Sequence, residues 1–135
     1  MSDAPSRYEQ FQSFRTRMNE RILGDDAARG SRPDGTPNAG ATLVTKRFFA
    51  LDTQTYKDGA LPTRTKELLG LVASLVLRCD DCIAYHIDQC VQHGVSDEEL
   101  WETFDVALIV GGSIVIPHLR RAAEFLDACR ERAAE

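Results

Sequence analysis

The stretch H93-G94-V95-S96-D97-E98-E99-L100 contains the end of one helix and the start of the next. Gly94 suits the left-handed conformation in which many helices end. Ser96, followed three residues later by Glu99, forms the pattern of a capping box, which satisfies free N–H groups at a helix start. The stretch therefore predicts two consecutive helices joined by a tight turn.

The segments on both sides of this turn carry apolar residues at helical spacing. The helix before the turn is expected to run from about Asp80 to His93, and the helix after it is expected to break near Gly111 and Gly112. A final helix follows the break. The apolar positions of these last two helices are Leu100, Trp101, Phe104, Ala107, Leu108, Leu119, Ala122, Ala123, Phe125 and Leu126.

Two more helices are predicted upstream of the turn. Residues 62–77 begin with Pro62 and Thr63, which suit a helix start, and they are apolar on nearly every side, as is typical of a buried helix. Residues 41–56 predict another helix, which ends near Gly59. Its inward face is expected to consist of Leu43, Val44, Phe48 and Leu51.

The first part of the chain differs in composition from the rest. A helical stripe precedes a loop rich in glycine and proline at residues 24–40, so we predict an N-terminal helix and loop at residues 1–40 and a helical domain at residues 41–135. Because no segment alternates with period two, the predicted fold class is all-α, a compact helical bundle. Its apolar surface exceeds what a small bundle buries and predicts a homo-oligomer. The stripe consists of Tyr8, Phe11, Phe14, Met18 and Ile22.

Composition argues against several classes of partner. The chain has 16 Lys and Arg against 21 Asp and Glu, and its basic residues are scattered among acids, so we expect no nucleic-acid binding. Arg120 and Arg121 are interpreted as part of a solvated helix face. The apolar runs are too short to span a bilayer and no apolar signal segment follows the N-terminus, so we expect a cytoplasmic protein without membrane contact. A chain of this length needs no disulfide for stability.

The segment R78-C-D-D-C-I-A-Y-H86 concentrates the reactive side chains. Cys79 is expected at the turn before a helix, Cys82 in its first turn and His86 one turn further on the same face. Free N–H groups and the dipole at a helix start favour thiolate, whereas the charges of Asp80 and Asp81 oppose it. An imidazole can accept a thiol proton or stabilise a thiolate. The pattern favours a redox pair.

Two other interpretations of the paired cysteines stay open. Cys79 and Cys82 could be small buried hydrophobic residues, although the two aspartates between them argue against full burial. They could also bind zinc together with His86, but a structural zinc site needs four ligands and no second ligand pair follows. We therefore expect no metal and no cofactor. The remaining candidate ligands are Cys90, His93 and His118.

The spacing of Glu67, Cys79, Cys82 and His86 resembles the signature of the AhpD-like alkylhydroperoxidases within the carboxymuconolactone decarboxylase superfamily. The segments G59-A-L-P-T-R-T-K-E-L-L-G-L-V-A-S and H93-G-V-S-D-E-E-L-W-E-T are also similar to segments of that family. The resemblance covers roughly residues 43–126 and implies an all-α homo-oligomer, often a trimer or hexamer.

The resemblance also implies an activity, the thiol-dependent reduction of organic hydroperoxides. It assigns peroxide attack to Cys82, resolution as a disulfide to Cys79, and a proton relay to Glu67 and His86. Glu67 lies twelve residues before Cys79, about 18 Å along a helix, so the chain must fold back or another subunit must contribute. The expected partners are a hydroperoxide and a thiol, thioredoxin-like or dihydrolipoyl reductant.

Two other functions fit the same resemblance. A redox sensor or stress-response binding module would use the thiols without turnover. The second alternative is a carboxymuconolactone decarboxylase-type enzyme, although decarboxylase members generally lack the paired cysteines.

Overall fold

Within residues 4–135, which the computed structural model describes, regular structure consists of seven α-helices, one 3-10 helix and one isolated bridge between Ser31 and Pro37. The predicted all-α fold is confirmed. The helices are α1 (Arg7–Leu23), α2 (Asp26–Arg29), α3 (Leu43–Thr55), α4 (Thr63–Leu77), α5 (Asp80–Gln92), α6 (Asp97–Gly111), the 3-10 helix (Ser113–Val115) and α7 (Ile116–Ala133).

The turn between α5 and α6 follows the local signals in its sequence. Gly94 has a φ of +76°, in the left-handed region that favours glycine. Ser96 caps α6, because its hydroxyl accepts the N–H of Glu99 at 3.1 Å. The Glu99 carboxylate forms an ion pair with Arg64, so this residue also joins α6 to α4. The predicted break after α6 is found at Gly112, which has a φ of +83°.

The chain forms two compact units, one reaching to Thr55 and one from Tyr56 to Glu135. In the first unit, Ser6 and Glu9 form a capping box at the start of α1. The loop after α2 returns to α1, since the Ala41 N–H donates to the Ile22 carbonyl at 2.9 Å. The two units divide after Thr55, whereas the sequence predicts a domain boundary between residues 40 and 41. That boundary stays a prediction. Residues 1–3 of the predicted N-terminal region lie outside the described residues.

The second unit is built around α4 and α5. Helix α4 packs against α5 and α6, and α5 also packs against α7. The apolar face of each helix points into one shared core, as the helical spacing predicts. Its largest fully buried apolar side chains are Leu71, Leu75, Ile83, Ile87, Val95, Leu100, Phe104 and Val115.

The apolar face of α3 is not inward in the single chain, which corrects the expectation from sequence. Its four predicted inward side chains are 61–76% exposed. Helical spacing identifies an apolar face that favours a partner, but it does not say which surface covers that face. The helix also ends at Thr55, before the predicted Gly59. The four side chains are Leu43, Val44, Phe48 and Leu51.

None of the helices described between residues 4 and 135 combines the length and the apolar character that a membrane span requires.

We expect Gly94→Ala to lower the free energy of unfolding by about 1 kcal/mol, because an L side chain is strained at positive φ. A Cβ at Gly94 would meet no atom within 4 Å, so the cost comes from the backbone alone. Gly94→Asn should cost less, since asparagine adopts this conformation more readily. Urea unfolding of the three proteins measures the effect. Equal stability of the alanine variant and the wild type would contradict it.

Candidate active site

A reversal of the chain between α4 and α5 builds the candidate site. Arg78 ends α4 with a φ of 60°, and it is the one non-glycine residue with positive φ among the residues that the structure describes. Cys79 follows directly as the N-cap of α5, and its N–H donates to the Ser74 carbonyl at 3.0 Å. Two residues therefore connect the helices, and α5 returns along α4.

The two cysteines of the C-x-x-C segment form a disulfide at the start of α5. Their Cα atoms are 5.3 Å apart, and the Cys82 N–H donates to the Cys79 sulfur at 3.3 Å. Cys82 is exposed and Cys79 is half-buried. Because the sulfurs lie at a helix N-terminus, thiolates formed on reduction are favoured by free N–H groups and by the helix dipole.

Glu67 and His86 meet in the interior next to this helix start. The Glu67 Oε2 and His86 Nδ1 atoms are 2.7 Å apart, and the residues are 1% and 8% exposed. The reversal brings them together within one chain although they are 19 positions apart. A buried carboxylate is tolerated when it is hydrogen-bonded. With Glu67 ionised, the Nδ1–H donates to it, which leaves Nε2 as the nitrogen that can accept a proton.

The imidazole of His86 is closely surrounded. A Cβ at Gly70 would lie 2.6 Å from the His86 Cε1 atom and 2.8 Å from both the His86 Nε2 and the Tyr56 Oη atoms. The rings of Tyr56 and Tyr85 lie 5.3 and 5.2 Å from the imidazole, centroid to centroid. Glycine at position 70 thus gives the ring the space that it occupies. Sequence patterns identified neither Gly70 nor Tyr56, because neither carries a chemical signature.

Asp80, the residue between Cys79 and Asp81, contacts two side chains of α7. Its Oδ1 atom accepts from His118 Nδ1 at 2.7 Å, and its Oδ2 atom accepts from Arg121 Nε at 2.9 Å. Burial disfavours ionisation of Asp80, but these bonds and charges outweigh it and lower the pKa of the carboxyl group. Arg121 lies on an exposed helix face, as its sequence context predicts, but it also forms an ion pair with Asp80 that the sequence did not indicate. The signal that could have identified the pair is its spacing of three on α7.

The other two cysteines differ sharply from the pair. Cys90 and Cys129 are buried and free. Burial, with Glu67 as a further contribution, raises the pKa of Cys90 to about 12. Burial and then Asp88 raise the pKa of Cys129 to about 12. Both therefore remain thiols at neutral pH, which makes them poor nucleophiles.

The remaining metal-ligating residues do not come together. From residue 4 onward, no three His, Cys, Asp or Glu side chains are grouped so that they could hold a metal ion. His118 bonds to Asp80, and His93 Nδ1 lies 2.8 Å from the Gln89 carbonyl oxygen. Of the four predicted site residues, Glu67 lies on α4, Cys82 and His86 lie on α5, and Cys79 is the N-cap of α5. Their catalytic roles stay predictions.

Comparison with known proteins reveals relatives with the same fold. The crystal structure of a carboxymuconolactone decarboxylase family protein from Thermotoga maritima, for which involvement in antioxidative response has been suggested, is 53% identical with a TM-score of 0.76. The alignment covers 93% of each chain.

Two curated relatives are uncharacterized proteins. A protein of Cupriavidus necator is 31% identical over 53% of this chain, which spans 64% of that relative's length. Uncharacterized protein 4 in the cox locus of Paracoccus denitrificans is 32% identical over 68% of this chain and 82% of its own. The model of the carboxymuconolactone decarboxylase family matches residues 43–125. The chain therefore belongs to the carboxymuconolactone decarboxylase family.

Proposed function

We propose that this protein reduces hydroperoxides with the Cys79–Cys82 pair, which cycles between dithiol and disulfide. One arrangement carries the proposal. The disulfide lies at the exposed start of α5, one turn before a histidine that is bonded to a buried glutamate. The suggested antioxidative role of the Thermotoga maritima relative supports the same class of activity.

The first step is attack of the Cys82 thiolate on the outer oxygen of the hydroperoxide. An S–O bond forms and the O–O bond breaks, so Cys82 becomes a sulfenic acid and the alkoxide leaves as an alcohol after taking a proton. Exposure of Cys82 supports its assignment as the attacking residue, since a peroxide can reach it from solvent.

The second step is attack of the Cys79 thiolate on the sulfenic sulfur of Cys82. An S–S bond forms, the S–O bond breaks, and hydroxide leaves as water after taking a proton. The 5.3 Å between the Cα atoms supports this step. A dithiol donor of thioredoxin-like or dihydrolipoyl type then returns two electrons by thiol–disulfide exchange.

Glu67 and His86 serve as the proton relay in this cycle. The Nδ1–H bond to Glu67 orients the ring and stabilises an imidazolium, and Nε2 takes the proton of a thiol and delivers it to the leaving oxygen. Burial of both residues supports a strong interaction, because few water molecules compete for the bond.

Replacement of each paired cysteine should separate their roles. After reduction and addition of one equivalent of an organic hydroperoxide, the wild type should lose two thiols. Cys79→Ser should accumulate a sulfenic acid on Cys82 that a dimedone probe traps, because nothing resolves it. Thiol titration and mass spectrometry measure both.

A trapped sulfenic acid in Cys82→Ser instead would reverse the assigned order. Cys90→Ser is the matched control and should behave as wild type, since this buried thiol takes no part. A single oxidation without turnover, when a dithiol donor is present, would indicate a redox sensor rather than a peroxidase.

Glu67→Gln should slow thiol oxidation by peroxide about 100-fold, which is within the usual range for loss of acid–base assistance. Glutamine keeps the size of the side chain and a hydrogen-bonding oxygen, so the fold should persist, as circular dichroism would verify. Stopped-flow measurement of thiol loss gives the rate. Glu102→Gln, on the exposed side of α6, is the control. An unchanged rate in Glu67→Gln with an intact fold would remove Glu67 from the relay.

We also propose that the chain forms a homo-oligomer, a trimer or a hexamer, as its resemblance to the AhpD-like alkylhydroperoxidases implies. Large apolar side chains remain exposed on α3, on the C-terminal half of α6 and around the following 3-10 helix. Burying such surface against further copies is the usual way to remove it from water. These side chains are Leu43, Val44, Phe48, Leu51, Val106, Ile109, Val110, Ile114 and Ile116.

Sedimentation velocity at micromolar concentration should show an assembly larger than one chain. Phe48→Glu should shift it toward smaller species, because a charge would replace a side chain that is 70% exposed in the single chain. Thr53→Glu, on the exposed surface of the same helix, is the control for added charge. A compact monomer in the wild type would refute the proposal.

A further inference from the structure

An acidic residue at the start of a redox helix poses an electrostatic problem. Asp80 follows Cys79 directly in the sequence, and a carboxylate so close to a thiolate raises the free energy of the thiolate. Asp81 adds a second negative charge in the same turn. The helix dipole and free N–H groups act in the opposite direction, because they favour negative charge at a helix start. The balance therefore depends on what surrounds Asp80.

Both carboxylate oxygens of Asp80 accept hydrogen bonds from side chains of α7. His118 Nδ1 lies 2.7 Å from Oδ1, and Arg121 Nε lies 2.9 Å from Oδ2. The His118 side chain is 17% exposed, whereas those of Asp80 and Arg121 are 41% and 52% exposed. The partners are 38 and 41 positions away in sequence, so tertiary packing creates the contact. The guanidinium contributes a positive charge that offsets the Asp80 carboxylate.

We propose that His118 and Arg121 are positioning residues for the redox pair, which hold Asp80 on α7 and offset its charge beside the Cys79 and Cys82 thiolates. The contact acts in two ways. It fixes the first turn of α5, where the Cys82 N–H donates to the Cys79 sulfur. It also restores the electrostatic advantage of the helix N-terminus that an uncompensated carboxylate would remove. The inference assumes the dithiol–disulfide chemistry of the proposed function, but not the reduction of peroxide.

The proposal predicts changes of opposite sign. Arg121→Gln leaves Asp80 with less compensation, so the reduced pair becomes less stable. Asp80→Asn leaves the cation without its partner, so the reduced pair becomes more stable. The double variant, Asp80→Asn with Arg121→Gln, loses both charges and should return close to wild type. Arg120→Gln is the matched control, since Arg120 has the same charge but points about 100° away from Arg121 around α7.

The experiment equilibrates each protein with dithiothreitol and its oxidised form, without peroxide, and measures the fraction of Cys79–Cys82 disulfide. Relative to wild type, the equilibrium constant for reduction should fall about threefold in Arg121→Gln and rise about threefold in Asp80→Asn, as suits a partly exposed ion pair. The effects should shrink at 1 M salt. Thiolate absorbance near 240 nm should change in the same directions.

Two outcomes would overturn the proposal. One is an equal change in Arg120→Gln and Arg121→Gln, which would show a general charge effect. The other is a loss of unfolding free energy in Arg121→Gln with no change in the exchange equilibrium, which would show a purely structural contact. Failure of peroxide turnover would affect only the proposed function, because exchange with dithiothreitol needs no peroxide. His118→Gln, which keeps a donor to Asp80, should retain the position of α5 and change the equilibrium less than Arg121→Gln.

Discussion

The two-residue reversal at Arg78 and Cys79 is the constraint on which the candidate site depends. It turns α4 directly into α5, makes Cys79 the N-cap and lays the two helices side by side. Glu67 therefore reaches His86 within one chain, and Leu71 and Ile87 of the same two helices are fully buried. A longer connection would free the helices to pack in another register. The spacing of the cysteines, the histidine and the glutamate in the sequence would then no longer bring their side chains together. The non-glycine residue in the left-handed conformation is the local cost of this tight turn.

The surroundings of the site divide its cysteines into two groups. Cys79 and Cys82 lie at a helix start near solvent, where backbone N–H groups favour negative charge. Cys90 and Cys129 lie in the core, where burial raises the pKa of each thiol to about 12. The same element thus carries one reactive and one inert thiol environment, since Cys82 and Cys90 both belong to α5. Position along the helix, rather than residue type, makes the difference.

Sequence reasoning succeeded where the determining interactions are local. The cap at Ser96, the left-handed Gly94 and the single helix that carries both Cys82 and His86 all follow from signals within a few residues. It failed where tertiary contacts decide. Helical spacing marked the face of α3 as apolar but could not show that the single chain leaves it uncovered, and the charge of Arg121 did not reveal that its partner is Asp80. The contact between Glu67 and His86 was predicted only in part. The family resemblance identified the two residues, but the tight turn that brings them together is visible only in the structure.

Gly70 has a consequence for how this chain can vary. Any side chain at position 70 would need the space that the His86 ring and the Tyr56 hydroxyl occupy. A larger residue there and a histidine in this orientation at position 86 exclude each other, so the two positions are coupled although neither bonds to the other. Among related chains, a substitution at one of these positions should accompany a substitution at the other. A residue without a side chain can thus limit the evolution of a site as firmly as one that carries its chemistry.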